Sequence, residues 1–87
     1  MEVLVTPGSV APEILDLRGL KCPLPALKTK KRLAGLQPGA LLIVITSDPL
    51  AVIDIPHLCR EEGHCLLQQD RAEECDRFTI RRGLSPA

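Results

Sequence analysis

Aromatic side chains are nearly missing from this 87-residue chain: Phe78 stands alone, with no Trp and no Tyr. A core must then be assembled from Leu, Ile, Val and Ala, within an apolar fraction of 45%. Few aromatics also leave little on which nucleic-acid bases can stack. A formal net charge of zero removes bulk attraction to a phosphate backbone. No apolar run approaches the ~20 residues of a membrane span; the longest, Ala40 to Ile45, has the length of a strand. The N-terminus lacks the basic, apolar and small-residue order of a secretory signal. The chain is therefore expected in the cytoplasm, away from membranes, with its four cysteines reduced. Its length allows one small domain.

One further absence falls in the most informative stretch, Gly19-Leu20-Lys21-Cys22-Pro23-Leu24-Pro25. A dithiol redox motif would place a second cysteine three positions after Cys22, and Pro25 stands there instead. Cys22 thus lacks a neighbouring thiol with which to close a disulfide, and a persulfide on it would be spared the nearest route of reductive loss. Pro23 and Pro25 would damage a helix interior. In a first turn they cost little, because those N–H groups have no intrahelical partner. Cys22 is accordingly expected at a helix N-terminus. There the helix dipole contributes roughly 0.3–1 kcal/mol to an anion, up to about 2 when partly buried. That lowers an ordinary thiol pKa of about 8.5 by roughly 0.2–1.5, with Lys21 and Arg18 adding to the effect. The expectation is a nucleophile poised near neutral pH and suited to reversible exchange.

Along the chain, residues 1–12 read as an extended or disordered arm, and residues 13–83 as the domain, followed by a tail over 84–87. Glu13 to Arg18 alternates as a first strand. A helix from Pro23 to Ala34 ends on Gly35, where a left-handed backbone is expected. Ala26, Thr29, Leu33 and Leu36 share its sheet-facing side. Leu24 and Leu27 point elsewhere, beside Lys28 and Lys31, and form either a docking surface or a cover for the sheet edge. Ala40 to Thr46 reads as a strand buried on both faces. Ser47-Asp48-Pro49 signals a helix start, but Pro56 suggests a short turn to Ile53, then a helix from Ile55 to about Glu62 capped by Asp54. Two strands follow, His64 to Gln69 and Cys75 to Arg82. The resulting fold class is α/β (α+β): a βαβαββ two-layer sandwich, with two helices on one face of a mixed four-stranded sheet.

Charge is unevenly spread. Arg18, Lys21, Lys28, Lys30, Lys31 and Arg32 occur in one stretch without an acid, whereas Glu61 to Asp76 is mainly acidic. Lys28 and Lys31, with Arg81 and Arg82 on the same face, are candidate docking residues for an acidic partner. Cys59 is expected to be a small core residue beside Val52 and Ile55. Cys65 and Cys75 could face one another across the last hairpin. His57 and His64 are read as surface or capping residues. A metal site from Cys59, His64 and Cys65 would lack a fourth ligand and the C-x-x-C spacing, so no metal or cofactor is expected.

Leu15-Asp16, the Gly19–Pro25 stretch, Gln37-Pro38-Gly39, Ser47-Asp48-Pro49, Asp54-Ile55-Pro56, Cys59, Gly63-His64 and Ile80-Arg81-Arg82-Gly83 occur in this order. In that ordered series the chain resembles the TusA/SirA family of small sulfur-carrier proteins, over roughly Leu15 to Gly83. The resemblance implies a two-layer fold similar to the C-terminal domain of translation initiation factor three. It also implies that Cys22 accepts sulfane sulfur as a persulfide from a cysteine desulfurase or rhodanese-like donor and relays it to a cysteine of an acceptor protein, as a carrier rather than a multi-substrate enzyme. Such carriers feed tRNA thiolation, molybdenum-cofactor assembly or sulfur oxidation. Gly19, Lys21, Pro23 and Pro25 would support Cys22. Cys65, Cys75 and the N-terminal arm lie outside the pattern.

Two other readings remain. One is a regulatory or nucleic-acid-associated module using the basic first helix, with Cys22 structural; direct nucleic-acid contact is disfavoured by the lack of aromatics. The other is a thiol redox protein, which would require Cys22 to pair with Cys59, Cys65 or Cys75.

Overall fold

The computed structural model describes residues 12–84. Most of the expected arm and tail, residues 1–11 and 85–87, lie outside the described residues. The elements are β1 (Glu13–Leu17), α1 (Leu24–Ala34), β2 (Leu41–Thr46), α2 (Ala51–Glu62), β3 (Cys65–Arg71) and β4 (Asp76–Arg81). The sheet order is β1-β2-β4-β3. β1 runs parallel to β2, pairing Leu15 with Val44 and Leu17 with Thr46. β4 is antiparallel to both β2 and β3. This is the mixed two-layer βαβαββ arrangement expected from the order of patterns.

The core lies between the sheet and the helices. Leu17, Leu42, Val44, Phe78 and Ile80 meet Leu33, Ala51, Ile55 and Cys59, all buried. Full burial of a large aliphatic or aromatic side chain contributes about 1.5–3 kcal/mol, so these side chains dominate the stability. In α1 the buried residues are Pro25, Thr29 and Leu33, a single i, i+4, i+8 row. The hydroxyls of Thr29 and Thr46 are buried without a hydrogen-bond partner.

Four expectations about the elements are corrected. β2 is not buried on both faces: Leu42, Val44 and Thr46 are buried, while Leu41, Ile43 and Ile45 are half-buried. Both helices pack on one side of the sheet, and no described helix covers the other. α2 begins at Ala51 rather than Ile55 and passes through Pro56. Asp48 supplies the start, since its Oδ1 accepts the Leu50 N–H at 3.3 Å and its carbonyl accepts from Ala51 at 3.0 Å. Proline disfavours a helix interior by about 3 kcal/mol. Burial of Ala51, Ile55, Leu58 and Cys59 along one face of α2 outweighs that penalty. Asp54 consequently sits in the first turn of α2 rather than at its cap.

The third correction concerns Gly35, whose φ of −90° is right-handed. The end of α1 is instead closed by the Gly35 N–H to the Arg32 carbonyl at 3.0 Å and the Leu36 N–H to the Leu33 carbonyl at 3.1 Å, with Arg82 Nε adding a second bond to the Leu33 carbonyl at 2.8 Å. The left-handed glycine is Gly63 at the end of α2, with φ 79°, where the His64 N–H returns to the Cys59 carbonyl at 2.8 Å. Gly83 crosses over this turn so closely that a Cβ there would lie 1.9 Å from the Gly63 carbonyl oxygen. Its N–H donates to His64 Nδ1 at 2.9 Å. Finally, Cys65 and Cys75 do not face one another. Cys65 pairs with Arg81 at one end of the hairpin, and Cys75 precedes β4 at the other.

Candidate functional site at the junction of two helix starts

The loop from β1 to α1 follows from its residue types. Gly19 has φ 90°, a backbone that glycine adopts readily, and its N–H donates to Ser47 Oγ at 2.8 Å. The Leu24 N–H returns to the Lys21 carbonyl at 2.8 Å. Pro23 is the N-cap of α1, joined to Cys22 by a cis peptide bond, and Pro25 lies buried in the first turn. The expectation of Cys22 immediately before a helix N-terminus is met, and its side chain is exposed.

The loop after β2 holds Cys22 from the other side. Asp48 Oδ2 accepts the Cys22 backbone N–H, while Oδ1 accepts that of Leu50. One carboxylate thus links the residue before α1 to the start of α2. From the first turn of α2, Asp54 places Oδ2 3.2 Å from Cys22 Sγ, where the thiol donates to it. Sequence reasoning missed both contacts. Ser47-Asp48-Pro49 and Asp54-Ile55-Pro56 were legible as helix-start signals, but nothing in their spacing points to a cysteine on another element.

The electrostatics overturn the expected activation. The thiol of Cys22 is pushed up from its ordinary pKa, first by its hydrogen bond to Asp54, then by burial and by the negative charges of Asp54 and Asp48. A thiol proton shared with a carboxylate is harder to lose. Two anions so close outweigh the dipole of one helix end. Arg18, expected to assist, is turned to Asp16 in an ion pair of 2.7 Å.

Beside Cys22 a groove of about 330 Å³ runs between the helices, lined among others by Ala26, Leu27, Asp54, His57 and Leu58. Leu24 and Leu27 on α1 are exposed, as are Leu50 and Ile53 on the first turn of α2. The last two were missed because the sequence reading placed a turn there. Lys28 and Lys31 are exposed. Lys30 pairs with Glu62 at 3.4 Å, and Arg32 pairs with Glu13, so part of the expected basic face is neutralised internally.

Arg81 and Arg82 do not join this surface. Arg81 pairs with Leu41, at the opposite end of β2 from the Cys22 loop. Arg82 is buried, held by the Leu33 and Gly83 carbonyls. Shared charge grouped them with the lysines of α1, and nothing local in the sequence shows that Arg82 turns inward to the Leu33 carbonyl at the end of that helix. Of the other cysteines, Cys59 is buried and its thiol is pushed up to about 11, chiefly by burial. Cys65 is exposed and Cys75 partly so, and neither is disulfide-bonded. Among the described residues no group of His, Cys, Asp and Glu side chains is arranged to hold a metal ion, and no helix is long and apolar enough to cross a membrane.

Comparison with known proteins bears on this geometry. The solved structure of the SirA-like protein from Desulfitobacterium hafniense superposes with a TM-score of 0.70 over 80% of this chain and 96% of that one, at 22% identity, a likeness of fold. In sequence, the chain is 47% identical over 68 residues to relatives from Neisseria meningitidis serogroups A and B, each named "Putative sulfur carrier protein". The alignment covers 78% of this chain and 89% of each relative. The family profile described as sulfurtransferase TusA matches residues 13–82, from the first residue of β1 to the arginine bonded to the end of α1. A match spanning every element that builds the Cys22 site places the chain in the TusA sulfurtransferase family.

Proposed function

We propose that this protein is a cytoplasmic sulfur carrier that alternates between thiol and persulfide at Cys22. In loading, the Cys22 thiolate attacks the outer sulfur of a donor protein's persulfide. A Cys22–sulfur bond forms, the donor's sulfur–sulfur bond breaks, and the donor cysteine leaves as thiolate. In unloading, an acceptor cysteine attacks that same outer sulfur, and Cys22 is the leaving group. No net oxidation occurs, so no cofactor is required. The donor would be a cysteine desulfurase or rhodanese-like protein.

The observation that carries this reading is an exposed thiol at a helix start with Pro25 in the position of a resolving cysteine. The raised pKa of Cys22 lowers its thiolate fraction at neutral pH and makes it a slower leaving group, so both steps would depend on a partner that offsets the charge of Asp54. Leu24, Leu27, Lys28 and Lys31 would face the partners, since all four are exposed on the helix that begins beside Cys22.

Incubation with a cysteine desulfurase and cysteine should add the mass of one sulfur atom to the Cys22 peptide. Equal labelling of Cys22→Ser would overturn the proposal. Salt-sensitive RNA binding that survives Cys22→Ser and is lost on charge reversal of Lys28 and Lys31 would instead favour a nucleic-acid module.

A further inference from the structure

Of the basic side chains on these elements, Arg18 is taken by Asp16 and Lys30 by Glu62, and the His57 ring stands 3.4 Å from Glu61. Asp48 spends both oxygens on backbone N–H groups. Asp54 is different. Among the described residues its carboxylate pairs with no lysine or arginine, and its hydrogen bond comes from the Cys22 thiol. Any reaction at Cys22 that passes through the thiolate therefore sets two negative charges side by side at the mouth of a groove that Glu61 and Glu62 also line.

We propose that this groove receives a partner segment carrying a lysine or arginine next to its own reactive sulfur, and that this cation pairs with Asp54 as the two sulfurs meet. The inference rests on reading Cys22 as the sulfur-bearing residue. Charge complementarity supports it: the cation stands against both Asp54 and the forming thiolate and removes the repulsion that keeps Cys22 protonated. The apolar floor made by Ala26, Leu27 and Leu58 accepts the aliphatic stem of such a side chain. Cys22 is thus quiet in the free protein and becomes nucleophilic when the right surface arrives. Small anionic thiols and disulfides meet charge of their own sign and are repelled.

The test reads charge preference on the thiol itself, so its outcome is separate from sulfur loading. The full chain is treated with cystamine, hydroxyethyl disulfide and dithiodipropionate, which are cationic, neutral and anionic. The mixed disulfide at Cys22 is followed by peptide mass mapping. In each case the Cys22 thiolate bonds to one reagent sulfur, the reagent's sulfur–sulfur bond breaks, and the released thiolate takes up a proton. Rates are divided by those of N-acetylcysteine amide to remove intrinsic reactivity. The expected order is cationic, neutral, anionic, with about fivefold between the extremes, the upper range of an exposed ion pair. The spread should shrink in high salt and collapse in Asp54→Asn. Equal normalised rates, a preference that survives Asp54→Asn, or an anionic preference set by Lys21 would each overturn the proposal. A retained preference without persulfide loading would sink the carrier reading alone.

Discussion

Cys22 Sγ and Asp54 Oδ2 lie 3.2 Å apart across the gap between two helix starts, and the thiol is the donor. The helix dipole at Cys22 favours an anion, but Asp54 and Asp48 act at shorter range with full charges. The nearby carboxylates prevail, and the thiol is held above its ordinary value by the hydrogen bond to Asp54.

This sets the pH profile of Cys22. Alkylation by iodoacetamide should have its midpoint above that of an ordinary cysteine, and at neutral pH Cys22 should react more slowly than N-acetylcysteine amide. Asp54→Asn should lower the midpoint and raise the neutral rate about two- to fivefold, the range of an exposed charge contact. The sign for stability is the same. A raised thiol pKa means that the contact stabilises the fold below the unfolded value and is lost as pH rises through the folded one. A midpoint at or below that of free cysteine would show that Asp54 does not govern the thiol.

Arg82 and Arg81 separate a structural role from a docking role. Arg82→Met should lower the unfolding free energy by about 1–3 kcal/mol, because two charge-assisted hydrogen bonds, to the Leu33 and Gly83 carbonyls, are lost. Arg81→Glu should leave persulfide transfer unchanged, whereas Lys28→Glu with Lys31→Glu should weaken it through KM. Steady-state transfer from a desulfurase, together with urea melts, distinguishes these outcomes.

Gly83→Ala tests the crossing of the chain over Gly63. A Cβ at 1.9 Å from the Gly63 oxygen forces the backbone apart. The expected loss is about 1–3 kcal/mol or more, read as a fall in thermal midpoint of roughly 4–8 °C for each kcal/mol. An unchanged midpoint would mean that the turn and the last strand are not packed as described.

Thr46→Val should act in the other direction. The hydroxyl is buried without a partner at the end of a central strand. Replacing it with a methyl removes that desolvation penalty and suits a strand, for a gain of about 1 kcal/mol in calorimetry. A loss instead would show that the hydroxyl is hydrogen-bonded in solution.

The fold was largely legible because its signals are local. Alternation marked β1 and β4, a continuous apolar run marked β2, and the i, i+4 row through Thr29 and Leu33 marked the buried side of α1. Local signals failed where tertiary packing decided. Pro56 read as a break, yet burial of Ile55 and Cys59 carries α2 through it. Gly35 read as a left-handed end, yet that helix closes on right-handed backbone, with an added bond from an arginine near the far end of the chain. At the site, Cys22 and its proline frame stood out in the sequence. Its protonation did not, because Asp48 and Asp54 are distant in sequence and adjacent only through the parallel pairing of β1 and β2. Reasoning from the dipole alone therefore produced the wrong sign.

Asp48 has a final consequence. By accepting N–H groups from Cys22 and Leu50 with its two oxygens, it rivets the reactive loop to the first turn of the neighbouring helix. Swinging the sulfur outward would require unpicking that turn as well. Under the proposed function a sulfur on Cys22 would ride on a fixed mount rather than a swinging arm, and the reach needed for each handover would come from the molecules that visit it.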